Sequence, residues 1–351
     1  MFQEIEIEII NPLNYPGWDE LVLSTNNYSF FHSSNWARVL HESYGYKPLY
    51  STLIDTGRIL ALLPCMEIKS ILTGNRAVSL PFTDYCEPII EQGLSTEIFR
   101  RLLNNLISYG KKASWNSIEL RCQISLPQQV SPSYTCYGHT LDVSKKEDET
   151  FSAFRDSTKR NIRKAIKEGV KVEISNSLDS VKEFYRLNYL TRKDHGLPPQ
   201  PFRFFEKVYE HVLSKDKGFV ALSSYEDTYI AGAIYFHFGE NAVYKYGASD
   251  RHYQHLRANN LVMWEAIKWY SQNGYKSLCF GRTEPENDGL LQYKRGWNAK
   301  ERTINYYKYD IKKETFVSEA SRPSGGRKRI FQSMPIHLLR MTGSILYRHI
   351  G

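Results

Sequence analysis

Three elements recur at a nearly constant distance along this chain, and that recurrence constrains the fold more than any single motif does. An apolar run at 77–82, an amphipathic stretch at 96–109 and a second apolar run at 117–122 read as strand, helix and strand. The same order returns at 241–247, 259–273 and 277–280, displaced by 164, 163 and 160 residues. A spacing held over three elements points to internal duplication of one supersecondary unit. An apolar hairpin precedes the unit in each half. Segments 49–54 and 58–67 flank the turn Asp55-Thr56-Gly57, and 219–224 pairs with 229–238. A hairpin followed by strand, helix and strand predicts an α/β fold of the α+β kind, with antiparallel and parallel portions in one mixed sheet.

At 351 residues the chain is long enough for two such domains and a tail. The acidic stretch around Glu147-Asp148-Glu149 sets the expected boundary, giving domains at 1–146 and 147–315 and a basic tail at 316–351. Further strands are expected at 4–10, 140–143 and 303–310. Helices are expected at 35–44, 149–168, 178–192 and 201–213.

Several function classes fall away. No apolar run reaches the roughly 18 residues that span a bilayer, and the acidic, alternating start Met1-Phe2-Gln3-Glu4-Ile5-Glu6 is unlike a secretory signal, so the expected location is cytoplasmic. Cys65, Cys86, Cys122, Cys136 and Cys279 form no C-x-x-C pair and are expected as reduced, mostly buried thiols. His252 and His255 have no second ligand pair at zinc spacing, so no metal is expected. Signatures of P-loop NTPases, dinucleotide-binding folds, zincins and α/β-hydrolases are missing. Tyr244, Tyr246, Trp264 and Trp269 read as core aromatics.

Net charge is +8, and its placement matters more than its total. Arg322, Arg327, Lys328, Arg329, Arg340 and Arg348 lie in a final segment with no Asp or Glu. A second excess sits at Lys159, Arg160, Arg163, Lys164, Lys167 and Lys171, opposed in that stretch only by Glu168. With Thr158 as N-cap and Gly169 as stop, this stretch predicts a helix with one cationic face and Ile162, Ala165 and Ile166 on the other. The ordinary reading of such a helix is a solvated amphipathic face; like charges repelling at i and i+4 weaken it and raise a role in holding phosphates beside that reading. Both patches suit an anionic partner: tRNA, a nucleotide-linked precursor or an acidic membrane surface.

Five local patterns then occur in a fixed order: Phe31-His32-Ser33-Ser34-Asn35-Trp36; Ser79-Leu80-Pro81-Phe82-Thr83-Asp84-Tyr85; Lys159-Arg160-Asn161-Ile162-Arg163-Lys164-Ala165; Thr191-Arg192-Lys193-Asp194-His195-Gly196-Leu197-Pro198; and Phe280-Gly281-Arg282 with Gly289-Leu290-Leu291-Gln292-Tyr293-Lys294-Arg295-Gly296-Trp297. Over about residues 28–310 the chain resembles the FemABX-like peptidyltransferases, which are built from two tandem GNAT-like acyltransferase domains. The resemblance implies amide-forming acyl transfer onto a peptidoglycan or exopolysaccharide precursor. Aminoacyl-tRNA is the implied donor and co-substrate, with no bound cofactor.

Such chemistry needs a neutral amine, a route for its proton and positive charge for the developing oxyanion. Lys294 matches the family's aromatic-Lys pair, with Tyr293 where Phe is usual, and is the expected oxyanion or phosphate stabiliser; the alternative is an exposed lysine beside Arg295. Asp84, after the exit Pro81-Phe82, is the second catalytic candidate, with turn formation as its ordinary reading. Substrate binding is expected from Lys159, Arg160, Arg163, Lys164, Tyr85, Arg192, Arg282 and Tyr293. Arg282 lies at a strand's carboxyl end, where ligands of open α/β sheets bind, and pairing with Glu284 or Glu286 is its alternative.

Acetyl-CoA-dependent GNAT enzymes carry a glycine-containing diphosphate loop before the corresponding helix. Here the loop is Arg251-His252-Tyr253-Gln254-His255-Leu256-Arg257-Ala258-Asn259-Asn260, with no glycine to turn its N–H groups onto a diphosphate. That counts against acyl-CoA, although Arg251 and Arg257 remain candidates to hold phosphates by side chain. The rival class is a non-catalytic RNA- or membrane-binding protein using the same basic surfaces. The tail, with Pro335 and Gly343 interrupting an apolar pattern from Ile330 to Ile350, is expected either to pack back on the first domain or to contact a membrane peripherally.

Overall fold

The computed structural model describes residues 6–94, 96–122, 130–318 and 326–351. The chain forms two units. One is Met1–Cys136 with Thr303–Arg322 and Tyr347–Gly351, and the other is Tyr137–Arg302 with Pro323–Leu346. The first unit is therefore not one continuous stretch. The strand Tyr134–Asp142 runs across the division between Cys136 and Tyr137.

In the first unit the expected hairpin forms between Tyr50–Asp55 and Arg58–Leu63, with Thr56 and Gly57 both left-handed at the turn. It lies in a four-stranded antiparallel sheet with Glu8–Ile10 and Ile89–Ile90. Glu4 and Ile5, at the start of the strand expected there, lie outside the described residues. Pro64 ends the second hairpin strand, and Met66–Ile68 joins a different sheet, beside Arg76–Val78. Arg76–Val78 pairs in parallel with Ser117–Arg121, and the helix Thr96–Lys112 connects them. The returning segment of Lys300–Asp310 pairs antiparallel with Ser117–Arg121. The core under the helix holds Leu53, Leu60, Leu63, Leu102, Leu106 and Ile118.

The second unit repeats the order of elements, here with the hairpin and the parallel pair in one sheet. Gly218–Tyr225 and Thr228–Phe238 form the hairpin, and Asn241–Ser249 pairs in parallel with Ser277–Thr283. The helix Ala258–Gln272 joins those two strands, and Tyr134–Asp142 lies beside Ser277–Thr283. The edge strand Lys171–Ser175, absent from the sequence reading, pairs with Gly218–Tyr225. Trp264 and Trp297 are buried with Tyr235, Leu261, Ile267 and Phe280, while Tyr244 and Trp269 are partly buried against this core.

The helix expected at 149–168 is two helices, Glu147–Ser152 and Asp156–Lys167. Between them the chain turns Phe154 into the core, with edge-on contacts to Trp264 at 5.5 Å and Trp297 at 5.0 Å. Arg155, and not Thr158, takes the N-cap position, and Thr158 is buried in the first turn. Ile166 is 56% exposed, so of the three apolar residues expected on the inner face only Ile162 and Ala165 are buried, beside Thr158. All five cysteines are free thiols, four of them buried and Cys279 half-buried.

The expected linker residues 322–325 lie outside the described residues, as do the side chains of Arg327 and Lys328. Helices Gly326–Ser333 and Ile336–Ile350 follow, broken at Pro335. Gly343 sits inside the second helix because a Cβ there would lie 2.0 Å from the Pro199 carbonyl oxygen. Within the first unit, Tyr347 packs on Phe82 at 5.5 Å and its carbonyl accepts a bond from Tyr46 Oη. No helix among the described residues is long and apolar enough to cross a membrane.

Candidate functional site

In the second unit the parallel ladder is short. It runs from Asn241↔Ser277 to Val243↔Cys279 and stops, although both strands continue, to Ser249 and Thr283. Each then follows its other neighbour: Asn241–Ser249 stays paired with Thr228–Phe238 up to Ser249, and Ser277–Thr283 pairs with Tyr134–Asp142. Both outer ladders are irregular just there. One shifts at Ile234/Tyr235, opposite Lys245, and the other between Cys279 and Arg282. Bulges bend strands and re-aim side chains, so two strands that lose their mutual bonds at this level part at their carboxyl ends. Gly281 makes the second bulge possible, with φ of 69° in the left-handed region.

Lys294 closes this bulge. The helix Asp288–Arg295, capped by the Asn287 side chain on the Leu290 N–H, carries it inward. The side chain is 3% exposed, and Nζ donates to the Arg282 carbonyl oxygen at 2.8 Å. Lys294 is thus not the exposed lysine of the alternative reading. The Arg282 guanidinium, half-buried, faces Glu284 at 3.7 Å.

Beside Lys294 lies a pair the sequence did not single out. His139 is buried, its Nε2 lies 3.0 Å from Glu301 Oε2, and Glu301 also accepts two 2.8 Å bonds from Arg295. Burial and the Lys294 charge hold the His139 imidazole below its usual pKa, while the Arg295 bonds hold the Glu301 carboxyl below the ordinary carboxylate range. Nδ1 of His139 is buried, with no hydrogen-bond partner among the described residues. One histidine on an alternating strand carries no signal in sequence; only the placing of its strand beside Lys300–Asp310, which carries Glu301, reveals it.

Other expected residues of this unit surround the same segment. Tyr293 Oη donates to the Asn259 carbonyl at 3.4 Å, linking its helix to the first turn of Ala258–Gln272. Asn259 Nδ2 in turn donates to Ser249 Oγ at 3.2 Å. Thr191, beside Arg192, exchanges bonds of 3.0 and 2.9 Å with Ser249, so the carboxyl end of the strand is fixed from two sides. Arg192 itself donates to the Pro198 carbonyl at 3.3 Å, closing the turn 191–198.

The basic helix docks by its N-terminal end on the closing segment. The Arg155 N–H donates to the Gly296 carbonyl at 2.9 Å, and a Cβ at Gly296 would meet Thr158 Oγ1 at 2.5 Å. Lys159 is the least exposed of its cations, paired with Asp156 at 2.9 Å, and Arg163 lies over the Phe151 ring at 5.5 Å. Arg160 and Lys164 are exposed.

Arg251 and Arg257 are both exposed on the loop before Ala258–Gln272. Arg257 stands at the N-cap with φ of 61° and ψ of 26°. The left-handed turn for which glycine is the usual residue is therefore made here by an arginine, in a loop that was expected to turn less easily without glycine. The first turn of the helix contains no acidic residue.

Asp84 and Tyr85 belong to the first unit. After Val78 the chain leaves the sheet at once, because Leu80 and Phe82 both have φ of 57°, so the strand expected to reach residue 82 ends at 78. Strain of this kind, about 1–2 kcal/mol per residue, persists only where the surroundings enforce it. Here Ser79 Oγ accepts the Arg121 N–H at 2.6 Å, and Arg121 Nη1 donates to the Thr83 carbonyl at 3.4 Å. Tyr306 Oη donates to the Asp84 carbonyl, and Tyr85 packs with Tyr306, Ile304 and Cys136. Asp84 thus sits in a held turn.

Residues 152–295 match the acetyltransferase (GNAT) domain family. A lipid II:glycine glycyltransferase of Staphylococcus epidermidis is 22% identical over 224 residues, covering 45% of this chain and 54% of that protein. A UDP-N-acetylmuramoylpentapeptide-lysine N(6)-alanyltransferase of Weissella viridescens is 24% identical over 159 residues, covering 44% and 46%. The chain spans about half the length of the curated relatives it matches. Among solved structures, FemX aligns with a TM-score of 0.66 at 15% identity, covering 86% of this chain and 97% of that one. A tandem GNAT protein from the clavulanic acid biosynthesis pathway aligns with a TM-score of 0.55 at 8% identity, covering 88% and 99%. At these identities the two structures establish the fold: mixed α/β, with two GNAT-like domains in tandem.

Proposed function

We propose that this chain, a FemABX-like protein of tandem GNAT fold, is an aminoacyltransferase that forms an amide bond on a cell-envelope precursor. The observation that carries the reading is the buried Lys294 ammonium at the point where the parallel strands part. In the reaction the acceptor's neutral amine attacks the carbonyl carbon of the donor's aminoacyl ester. A C–N bond forms, the ester oxygen of the donor leaves, and the amine's proton passes to it. Negative charge gathers on the carbonyl oxygen in between, and a desolvated ammonium is worth far more to that charge than one in water. No activated Ser or Cys is needed, so transfer is direct.

An anionic nucleotide- or lipid-linked acceptor suits the cationic helix, where Arg160 and Lys164 are exposed, with Lys159, Arg163, Arg192, Arg282 and Tyr293 as further contacts. Asp84 and Tyr85 are the first unit's candidates, Asp84 to orient or deprotonate the amine. The relatives named for lipid II and for UDP-N-acetylmuramoylpentapeptide favour a peptidoglycan precursor as acceptor; aminoacyl-tRNA is the donor that the family resemblance implies. The outer face of Ile336–Ile350, with exposed Leu338, Met341 and Ile345 beside Arg340 and Arg348, supports peripheral membrane contact through the tail.

A second reading, acyl-CoA as donor, is favoured by the left-handed Arg257 at a helix N-cap, with Arg251 nearby in sequence to hold phosphate. One assay separates the two. Purified protein is given charged tRNA or acyl-CoA with UDP-N-acetylmuramoylpentapeptide or lipid II, and the amide product is read by mass. Product from charged tRNA is expected; product from acyl-CoA alone would select the second reading, and product from neither would leave the binding-protein rival.

A further inference from the structure

Ile71 is the most exposed large hydrophobic side chain among the described residues, at 94%, and its neighbour Leu72 is 60% exposed. They form the tip of the turn after Met66–Ile68, and that turn is tightly held. Ser70 Oγ accepts the N–H groups of Leu72 at 3.2 Å and Thr73 at 3.0 Å, and the Gly74 N–H bonds the Ser70 carbonyl at 2.8 Å. The end of the C-terminal helix is tied to the same turn. Thr73 Oγ1 donates to the His349 carbonyl at 2.9 Å, Arg76 Nη2 to the same oxygen at 3.0 Å, and Ser70 Oγ lies 3.0 Å from His349 Nδ1. These bonds bring Ile350, 48% exposed, and Arg348 to the side of the tip.

A fixed turn that holds two adjacent large apolar side chains in water gains nothing for the fold from doing so, unlike a lone exposed leucine. The charges around it share one sign. Lys69, Arg76 and Arg348 flank the tip, and neither 68–83 nor 320–351 contains an Asp or Glu. The nearest acid in sequence, Glu67, is buried, bonded to Trp115 Nε1 and 3.7 Å from the exposed Lys69 ammonium, which it balances only from below the surface. Apolar residues rimmed by cations match an anionic bilayer: the side chains enter the boundary of headgroups and acyl chains while the basic groups stay among the phosphates. We infer that Ile71, Leu72 and Ile350, with Lys69, Arg76 and Arg348, form a membrane-docking tip for anionic lipid surfaces. The tip deepens the envelope-precursor reading and rests on it for the place where the acceptor is found.

The test is sedimentation of the full chain with phosphatidylcholine vesicles that do or do not contain phosphatidylglycerol. Binding to the anionic vesicles is expected. It should weaken roughly tenfold or more in the double variant Ile71→Ser, Leu72→Ser, and several-fold in Arg348→Ser. Both sites are exposed, so thermal midpoints should match wild type. A dye attached at Ile71→Cys should shift to the blue on binding. No binding by wild type, undiminished binding by the double variant, or an unshifted dye overturns the inference. So does a vesicle-free dimer that the double variant dissolves, since the tip would then pack against a second copy. Transfer to the soluble nucleotide-linked acceptor is measured alongside. A chain that transfers but ignores vesicles loses the tip and keeps the function, and one that binds vesicles but does not transfer does the reverse.

Discussion

The Lys294 ammonium lies 2.8 Å from the backbone carbonyl oxygen of Arg282, inside the fold. A carbonyl offers only a partial negative charge, so this contact satisfies a donor of the lysine without neutralising it. Taking that ammonium out of water is itself costly. Its effect on its neighbour is already visible: it helps keep His139 neutral, so that the Nε2 proton goes to Glu301 and the Nδ1 lone pair stays open.

Lys294→Met keeps most of the side-chain length and removes the charge. It takes one donor from the Arg282 carbonyl, at about 1–3 kcal/mol, and relieves a buried ammonium, so the change in Tm should be small. Loss of an oxyanion-stabilising group lowers kcat by roughly a hundredfold or more. Steady-state kinetics with a fixed donor checks this, and a kcat within a few-fold of wild type would leave Lys294 a structural stitch.

How much of this was legible in the sequence follows period and length. The two hairpins, the helices Thr96–Lys112 and Ala258–Gln272 and the duplicated order were readable because each buries a regular stripe over many residues. The helix Asp288–Arg295 was not recognised, having eight residues, a glycine second and one fully buried apolar side chain, Leu291. The break before Asp156 was hidden for a different reason: it exists to seat Phe154 between two tryptophans far along the chain. Of the candidate site, Lys294, Arg282 and Tyr293 were identified through the family resemblance, whereas His139 and Glu301 become a pair only because Tyr134–Asp142 and Lys300–Asp310 are neighbours in the sheet, and left no local trace.

The cationic helix offers a test of the anionic partner. Lys159 and Arg163 are held by Asp156 and the Phe151 ring, so Arg160 and Lys164 are the better pair to reverse. Arg160→Glu with Lys164→Glu leaves Ile162 and Ala165 buried and should not unfold the domain. Affinity for charged tRNA should fall, and the salt dependence should flatten by up to about one unit of slope per lost phosphate contact. An unchanged slope with tRNA and with the nucleotide-linked acceptor returns the face to solvent.

Arg257 tests the donor. Arg257→Gly relieves a left-handed residue at about 1 kcal/mol and returns part of that through a freer unfolded chain, so Tm should hold or rise slightly. If the side chain holds a donor phosphate, the KM for the donor rises several-fold with kcat little changed. A lowered Tm with unaltered KM would mean the arginine serves the fold alone.

His32 sets a pH limit on the first unit. It is fully buried; the Ser29 N–H donates to Nδ1 at 3.0 Å and Nε2 donates to the Glu87 carbonyl at 2.8 Å, so the ring is neutral with its proton on Nε2. Burial depresses its pKa from 6.5 to about 4, and the two backbone bonds only partly oppose that. The folded state thus binds this proton less readily than the unfolded chain does. The stabilising difference is present in full above pH 6.5 and is lost as pH falls through 6.5 towards 4, a change of about 3 kcal/mol at 1.36 kcal/mol per unit. His139 and His237, also depressed by burial, steepen the loss in the same direction in the second unit. Urea unfolding at several pH values, followed by a probe in each unit, should show the first unit weakening over this window. His32→Gln keeps an amide donor for Glu87 and cannot titrate, so it should lower stability at neutral pH and flatten the slope. A variant as steep as wild type would place the titration elsewhere.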